Sequence, residues 1–227
     1  MIQQAGRLLK KGAYCTGNRL KRKPTGSLAA HPAGMTIDEL AQRKAEIRQR
    51  LKQDRSAIPE QEREAWTAII RQQLLALDEV AAAGTIFCYI SCGSEVGTRD
   101  LLDRFLEEGR TLLVPKIINA NHMIATPFIS WDDLVPGQLG ILTPRVDEPY
   151  AGDVHLALTP GVSFSPNGYR IGYGRGYYDK WFAGHRQTFK IGLAFEAQLI
   201  HDMPVADHDI PVDIIVTEKR VIRPPGA

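Results

Sequence analysis

The sequence predicts a single α/β domain, a mostly parallel sheet with helices on both faces. Three observations predict it. Short apolar runs rich in β-formers recur along the chain: TIFCYIS (85–91), TLLVP (111–115), VHLALTP (154–160), FKIGLAF (189–195) and DIIVTE (213–218). The first two flank a segment of helical character within about thirty residues, the length of a βαβ unit with parallel strands. The 227 residues suffice for one domain with a sizeable core but are short for two.

The elements follow in order. Thr36-Ile-Asp-Glu39 reads as a capping box opening a helix to about Lys52. On its apolar stripe Leu40, Ile47 and Leu51 are joined by Lys44 and Arg48, so two cations face the body of the protein. Pro59 suits the first turn of a second helix, where Trp66, Ile69, Ile70, Leu74 and Leu77 recur at core spacing until Gly84. After the first strand come a turn at Gly93 and a helix capped by Thr98 and ending before Gly109. Residues 116–150, with a short strand around MIATPFI, read as excursions at the sheet edge. The run at 154–160 is apolar enough for a central strand, and a further helix starts near Gly174 to Gly176.

Composition narrows the class. No apolar run approaches the roughly 18 residues that span a bilayer, and no secretory h-region follows Met1, so a cytoplasmic protein is expected. Cys88 and Cys92 fall in a strand-like run, and with Cys15 they read as reduced thiols; no second ligand pair completes a zinc site. Residues 1–34 hold seven Lys or Arg and no acid, within a chain of net charge +2. Such an arm suits nucleic-acid binding or, as a lesser expectation, organelle targeting. The expected division is 1–34 as a disordered or non-native extension and 35–227 as the domain.

In open α/β sheets ligands gather at the carboxyl ends of strands, which singles out Ser91–Thr98, Pro115-Lys116, Pro160–Asp179 and His201–Asp213. The stretch RIGYGRGYYDKWF (170–182) is the richest. Gly172, Gly174 and Gly176 let backbone N–H groups converge on an anion before a helix, with Arg170 and Arg175 adding charge; the alternative is a plain turn with glycines at positive φ. It is neither a Walker loop nor a Rossmann fingerprint. Tyr177 and Tyr178 open the helix, mainly as core, though a loop-edge tyrosine suits a flat ligand ring. Asp179 and Asp209 suit Mg²⁺, which takes one or two carboxylates with phosphate oxygens. Asp202, Asp207 and Asp213 read as turn residues and His201 and His208 as solvated.

With these residues assembled, positions 36 to 218 resemble the 5-formyltetrahydrofolate cyclo-ligase family, also called 5,10-methenyltetrahydrofolate synthetase. TPGVSFSPNGYRIGYGRGYYDKWF matches the family signature at every glycine, and Lys44-x-x-x-Arg48 and Glu95-x-x-Thr98 stand where the family has its own pairs. The resemblance implies Mg²⁺- and ATP-dependent closure of 5-formyltetrahydrofolate to the methenyl form, or action on another formylated or carboxylated compound. It implies ATP contacts from Lys44, Arg48 and the run Arg170, Ile171, Gly172, Tyr173, Gly174, Arg175, Gly176, Tyr177 and Tyr178. Lys44, Arg170 and Arg175 would serve catalysis by balancing phosphate charge. Folate contacts fall on Ile90, Glu95, Tyr173 and Tyr177, and the metal on Asp179 and Asp209. Gly97 and Ser165 depart from the pattern, where the family favours polar or acidic residues. Small molecules are the implied partners, with nucleic acid restricted to the arm and no membrane.

Removing residues 1–34 is expected to leave both fold and ATP turnover intact. Salt-dependent nucleic-acid binding that vanishes with the deletion would instead assign the arm a function, and a titration across ionic strength decides.

Overall fold

A capping box starts the first helix of the computed structural model. Thr36 Oγ1 accepts from the Glu39 backbone N–H at 3.2 Å and Glu39 Oε2 accepts from the Thr36 N–H at 2.7 Å. The Thr36 N–H, and then the Thr36 hydroxyl donating to the same oxygen at 2.9 Å, hold the Glu39 carboxyl below its usual range. The structure describes residues 35–137 and 141–225; the basic arm lies outside the described residues.

Helix α1 (Ile37–Ala57) runs beyond Lys52 because no breaker intervenes before Pro59, which forces Ile58 into the extended region at ψ 126°. Pro59 is the N-cap of α2 (Glu60–Leu75) rather than a residue of its first turn. Ile70 and Leu74 are buried from α2, whereas Ile69 faces outward at 42 % exposure. A short helix, α3 (Asp78–Ala81), leads to strand β1 (Thr85–Cys88). Helix α4 (Arg99–Glu107) then returns the chain to β2 (Thr111–Asn119), parallel to β1 with Thr85 beside Thr111.

Beyond β2 the chain doubles back as β3 (His122–Pro127), antiparallel and at the sheet edge. A small hairpin, β4 (Leu134–Pro136) with β5 (Leu142–Pro144), precedes β6 (Leu156–Thr159). Next come a second hairpin, β7 (Ser163–Phe164) with β8 (Arg170–Ile171), and helix α5 (Tyr177–Gly184). Strands β9 (Phe189–Leu193), β10 (Ile214–Val216) and β11 (Val221–Ile222) close the order β11-β10-β9-β6-β1-β2-β3, with β6 in the middle as its apolar run predicts. The central strands are parallel and only the two edges antiparallel.

Successive side chains of a strand point to opposite faces, and the core divides accordingly. Ile86, Leu112 and Leu156 pack with Ile70 and Leu74 of α2 and Phe105 of α4 on one face. Phe87, Leu113 and Ala157 pack with Trp181 and Phe182 of α5 on the other. Both faces are therefore helix-covered. Cys88 is buried as expected, and burial pushes its thiol far up; Cys92 is exposed, because the strand ends at Cys88 and the chain turns.

Phe164 sets the spacing between the sheet and the loop that follows β6. Fully buried, its ring fits against two glycines: a Cβ on Gly192 would meet Phe164 Cε1 at 2.4 Å, and one on Gly161 would meet Cε2 at 2.5 Å. Gly192→Ala therefore overpacks the core and should cost about 1–3 kcal/mol, read as a lower urea midpoint with an unchanged slope.

Candidate functional site

One stripe of α1 delivers the site's cations. Ile47 and Leu51 pack on Val162 and Ile171, which brings Lys44 and Arg48 toward the glycine loop. Lys44 Nζ pairs with Asp209 Oδ2, the two side chains only 14 % and 11 % exposed. Arg48 Nε donates to the Gly172 carbonyl at 2.8 Å, and burial lowers its pKa from the ordinary arginine value. The same Asp209 oxygen accepts the Ala206 N–H at 2.7 Å, which fixes the segment before β10.

Glycine geometry shapes the loop between β8 and α5. Gly174 (φ 102°) and Gly176 (φ 64°) sit in the left-handed region that side-chain-bearing residues avoid. A Cβ on Gly174 would stand 3.5 Å from the Arg48 guanidinium carbon, an ordinary contact, so it is the left-handed backbone rather than lack of space that calls for glycine here. Gly176 is the N-cap of α5, so the positive-φ turn runs straight into the helix N-terminus. First-turn N–H groups of such a helix have no intrahelical partner and favour an anion.

The arginines of the motif diverge. Arg170, its side chain 2 % exposed, donates from Nη2 to Asp179 Oδ1 at 3.1 Å and from Nη1 to the Ile210 carbonyl at 2.8 Å. Burial lowers its pKa, opposed by the charges of Asp179 and Asp209. Asp179 Oδ1 also accepts the Ile210 N–H at 3.1 Å, so this carboxylate joins α5 to the segment carrying Asp209. Arg175 is exposed on the loop tip. Ile171 is buried under α1 and anchors the loop rather than lining it.

The other side of the loop gathers Tyr173 and Glu95. Tyr173 Oη donates to Glu95 Oε1 at 2.5 Å, while Glu95 Oε2 accepts the Cys92 N–H at 2.9 Å. Burial, then the Glu95 charge, raises the Tyr173 pKa, so the phenol stays a donor across physiological pH. Ile90 is half-buried just past β1. Tyr177 reaches the Asn119 carbonyl at 3.2 Å, whereas Tyr178 turns inward, its ring 5.9 Å from Phe87 and its buried hydroxyl without a partner among the described residues. Thr98 does not cap α4 with its side chain; its hydroxyl donates to Tyr89 O at 2.7 Å and accepts the Ser91 N–H at 3.0 Å, bracing the Glu95 turn.

The sequence reading missed Arg55. It lies seven residues beyond Arg48 on the same stripe, a signal hidden by ending the helix at Lys52. It is 3 % exposed and donates to Tyr173 Oη at 2.8 Å.

Both aspartates of the site are already paired with cations, Asp209 with Lys44 and Asp179 with Arg170. No group of three or more His, Cys, Asp or Glu side chains at metal-binding spacing occurs among the described residues. Asp179 Oδ2 and Asp209 Oδ1 lie outside the bonds to Arg170, Ile210, Lys44 and Ala206, the latter oxygen having exposed His208 Nε2 at 4.0 Å. Two such oxygens suit Mg²⁺, which completes its octahedron with phosphate and water.

The chain is similar to known proteins over most of its length. Residues 40–218 match the model of the 5-formyltetrahydrofolate cyclo-ligase family. A probable 5-formyltetrahydrofolate cyclo-ligase of Caenorhabditis elegans is 29 % identical over 194 residues, covering 79 % of this chain and 94 % of that one. The 5-formyltetrahydrofolate cyclo-ligase of Escherichia coli K12 is 28 % identical, covering 77 % and 98 %. The NMR structure of Aquifex aeolicus 5,10-methenyltetrahydrofolate synthetase superposes with a TM-score of 0.70 at 31 % identity, over 79 % of this chain and 92 % of that one. With the match spanning α1 through β10 and the fold shared, the chain belongs to the 5-formyltetrahydrofolate cyclo-ligase family and is an enzyme of the ligase class.

Proposed function

We propose that this enzyme uses ATP and Mg²⁺ to convert 5-formyltetrahydrofolate into 5,10-methenyltetrahydrofolate, releasing ADP and phosphate. One observation carries the reading: a single glycine loop is gripped by Arg48 on its phosphate-like side and joined to Glu95 through Tyr173 on the other. Two ligands that must react with each other would share that loop as a common wall. The names of the relatives supply the substrate class.

On this reading Lys44, Arg48 and Arg175 would bind the phosphates together with the loop N–H groups, and buried Arg170 would hold Asp179 in place. Asp179 and Asp209 would hold Mg²⁺, whose part is to neutralise phosphate charge. Ile90, Tyr173 and Tyr177 would wall the pterin, and Glu95 would accept its N–H donors. The formyl oxygen attacks the γ-phosphorus and ADP leaves; N10 then attacks the activated carbon, losing its proton, and the C–O bond breaks as phosphate departs. Such transfer depends on alignment and charge more than on covalent help from the protein. Cys88 and Cys92 form no disulfide among the described residues, which accords with a cytoplasmic setting.

The direct test mixes purified protein with 5-formyltetrahydrofolate and Mg·ATP and follows near-ultraviolet absorbance as the conjugated methenyl bridge forms. A rise that needs all three is expected; intact substrate and no rise would overturn the reading. Arg48→Ala should raise the KM for ATP about tenfold, the scale of one charge-assisted hydrogen bond, with less effect on the folate KM.

Asp179→Asn retains an acceptor for Arg170 and should keep the fold while turnover falls about a hundredfold and loses its Mg²⁺ dependence. Asp179→Ala strips a buried arginine of its counter-charge and should also lower stability by about 3 kcal/mol in denaturant titration.

A further inference from the structure

Arg55 is a buried cation served by neutral oxygens. Its guanidinium donates from Nε to Ser94 Oγ at 3.1 Å, from Nη1 to the Gly161 carbonyl at 3.2 Å and from Nη2 to Tyr173 Oη at 2.8 Å. It forms no ion pair with a carboxylate among the described residues, and only 3 % of it meets solvent. Its counter-charge, Glu95, is reached only through the Tyr173 phenol, and burying a charge without a direct ion pair is expensive, so an arginine kept there has a use that an apolar residue of similar volume would not serve.

The geometry says what the use is. Tyr173 is 49 % exposed and rides on a loop with open space beside Gly172 and a left-handed Gly174, so little packing fixes its ring. Its hydroxyl is held instead from two sides. By occupying a lone pair of the phenol oxygen, Arg55 leaves the Tyr173 proton to point at Glu95 Oε1, 2.5 Å away. The second Glu95 oxygen is fixed by the Cys92 N–H, and Ser94, bonded to Arg55, is the residue before Glu95. The guanidinium thus ties α1, the turn after β1, the loop after β6 and the glycine loop at one point, and a planar fork does this where an ammonium would not.

We propose that Arg55 is a positioning residue for the folate side of the site: acting through Tyr173, it aims and preorganises the Glu95 carboxylate that receives the substrate's N–H donors. The inference rests on the folate reading of Glu95 given above. It separates three inward cations of α1 by task, Lys44 and Arg48 serving the phosphate side and Arg55 the pterin side. Arg55 itself touches no substrate.

The experiment measures 5-formyltetrahydrofolate binding to nucleotide-free protein by calorimetry, alongside steady-state kinetics and melting curves. Arg55→Ala should raise the folate Kd and KM about tenfold, as loss of a hydrogen bond from a charged donor does, with the ATP KM held within about twofold. Tyr173→Phe, on a half-exposed side chain that folding does not need, should weaken folate binding similarly. The double variant should be no weaker than the weaker single variant, because both break one relay.

Melting temperatures lowered with folate binding unchanged would mark Arg55 as a mere staple and overturn the inference. So would penalties that multiply in the double variant, or, if Arg55→Ala fails to fold, a Tyr173→Phe protein that binds folate like the wild type. Wild-type protein that binds no folate would overturn the functional reading and this inference with it; wild-type binding matched by every variant overturns this inference alone.

Discussion

Helix α1 carries three cations out of bulk water, and each must find oxygen. That constraint organises the site. Lys44 takes a carboxylate, Arg48 a backbone carbonyl, and Arg55 a hydroxyl, a carbonyl and a phenol. Their acceptors come from four separate stretches of chain, so satisfying one helix stripe draws together segments that the sheet alone would leave apart. Arg170 applies the same logic from below, linking α5 to the Asp209 segment through Asp179 and Ile210.

The sheet supplies the rigidity these polar contacts need. Its parallel centre, covered on both faces, fixes where β1 and β6 end, and the turns that follow carry Glu95 and Gly161. Phe164, wedged against Gly161 and Gly192, converts strand packing into loop position. A site built this way depends on the fit of apolar side chains several residues from any ligand.

Legibility followed the range of the interactions. The stretch 170–179 was readable because its glycines, arginines and aspartate are neighbours, and the inward cations of α1 because helical spacing exposes them. The direction of Tyr178 was harder to read: adjacent helical residues point about 100° apart, and which of two tyrosines meets the core depends on Phe87 of a distant strand. Arg55 acquires its role from partners 106 and 118 positions away, which no local pattern encodes. The two hairpins and β11 have strands of two or three residues, too short for an alternating pattern to register.

The glycine loop has one further consequence, which concerns timing rather than position. Residues 172–176 are tethered to α1 at Gly172 and Tyr173, while Gly174 and Gly176 place glycine backbone directly after those tethers. On the proposed reading, a ligand that settles against either flank would restrict this backbone, and a second ligand on the other flank would meet it already restricted. Linkage makes that help mutual and equal in free energy, whichever ligand comes first. The two flanks would then be thermodynamic partners through the one stretch of backbone they share.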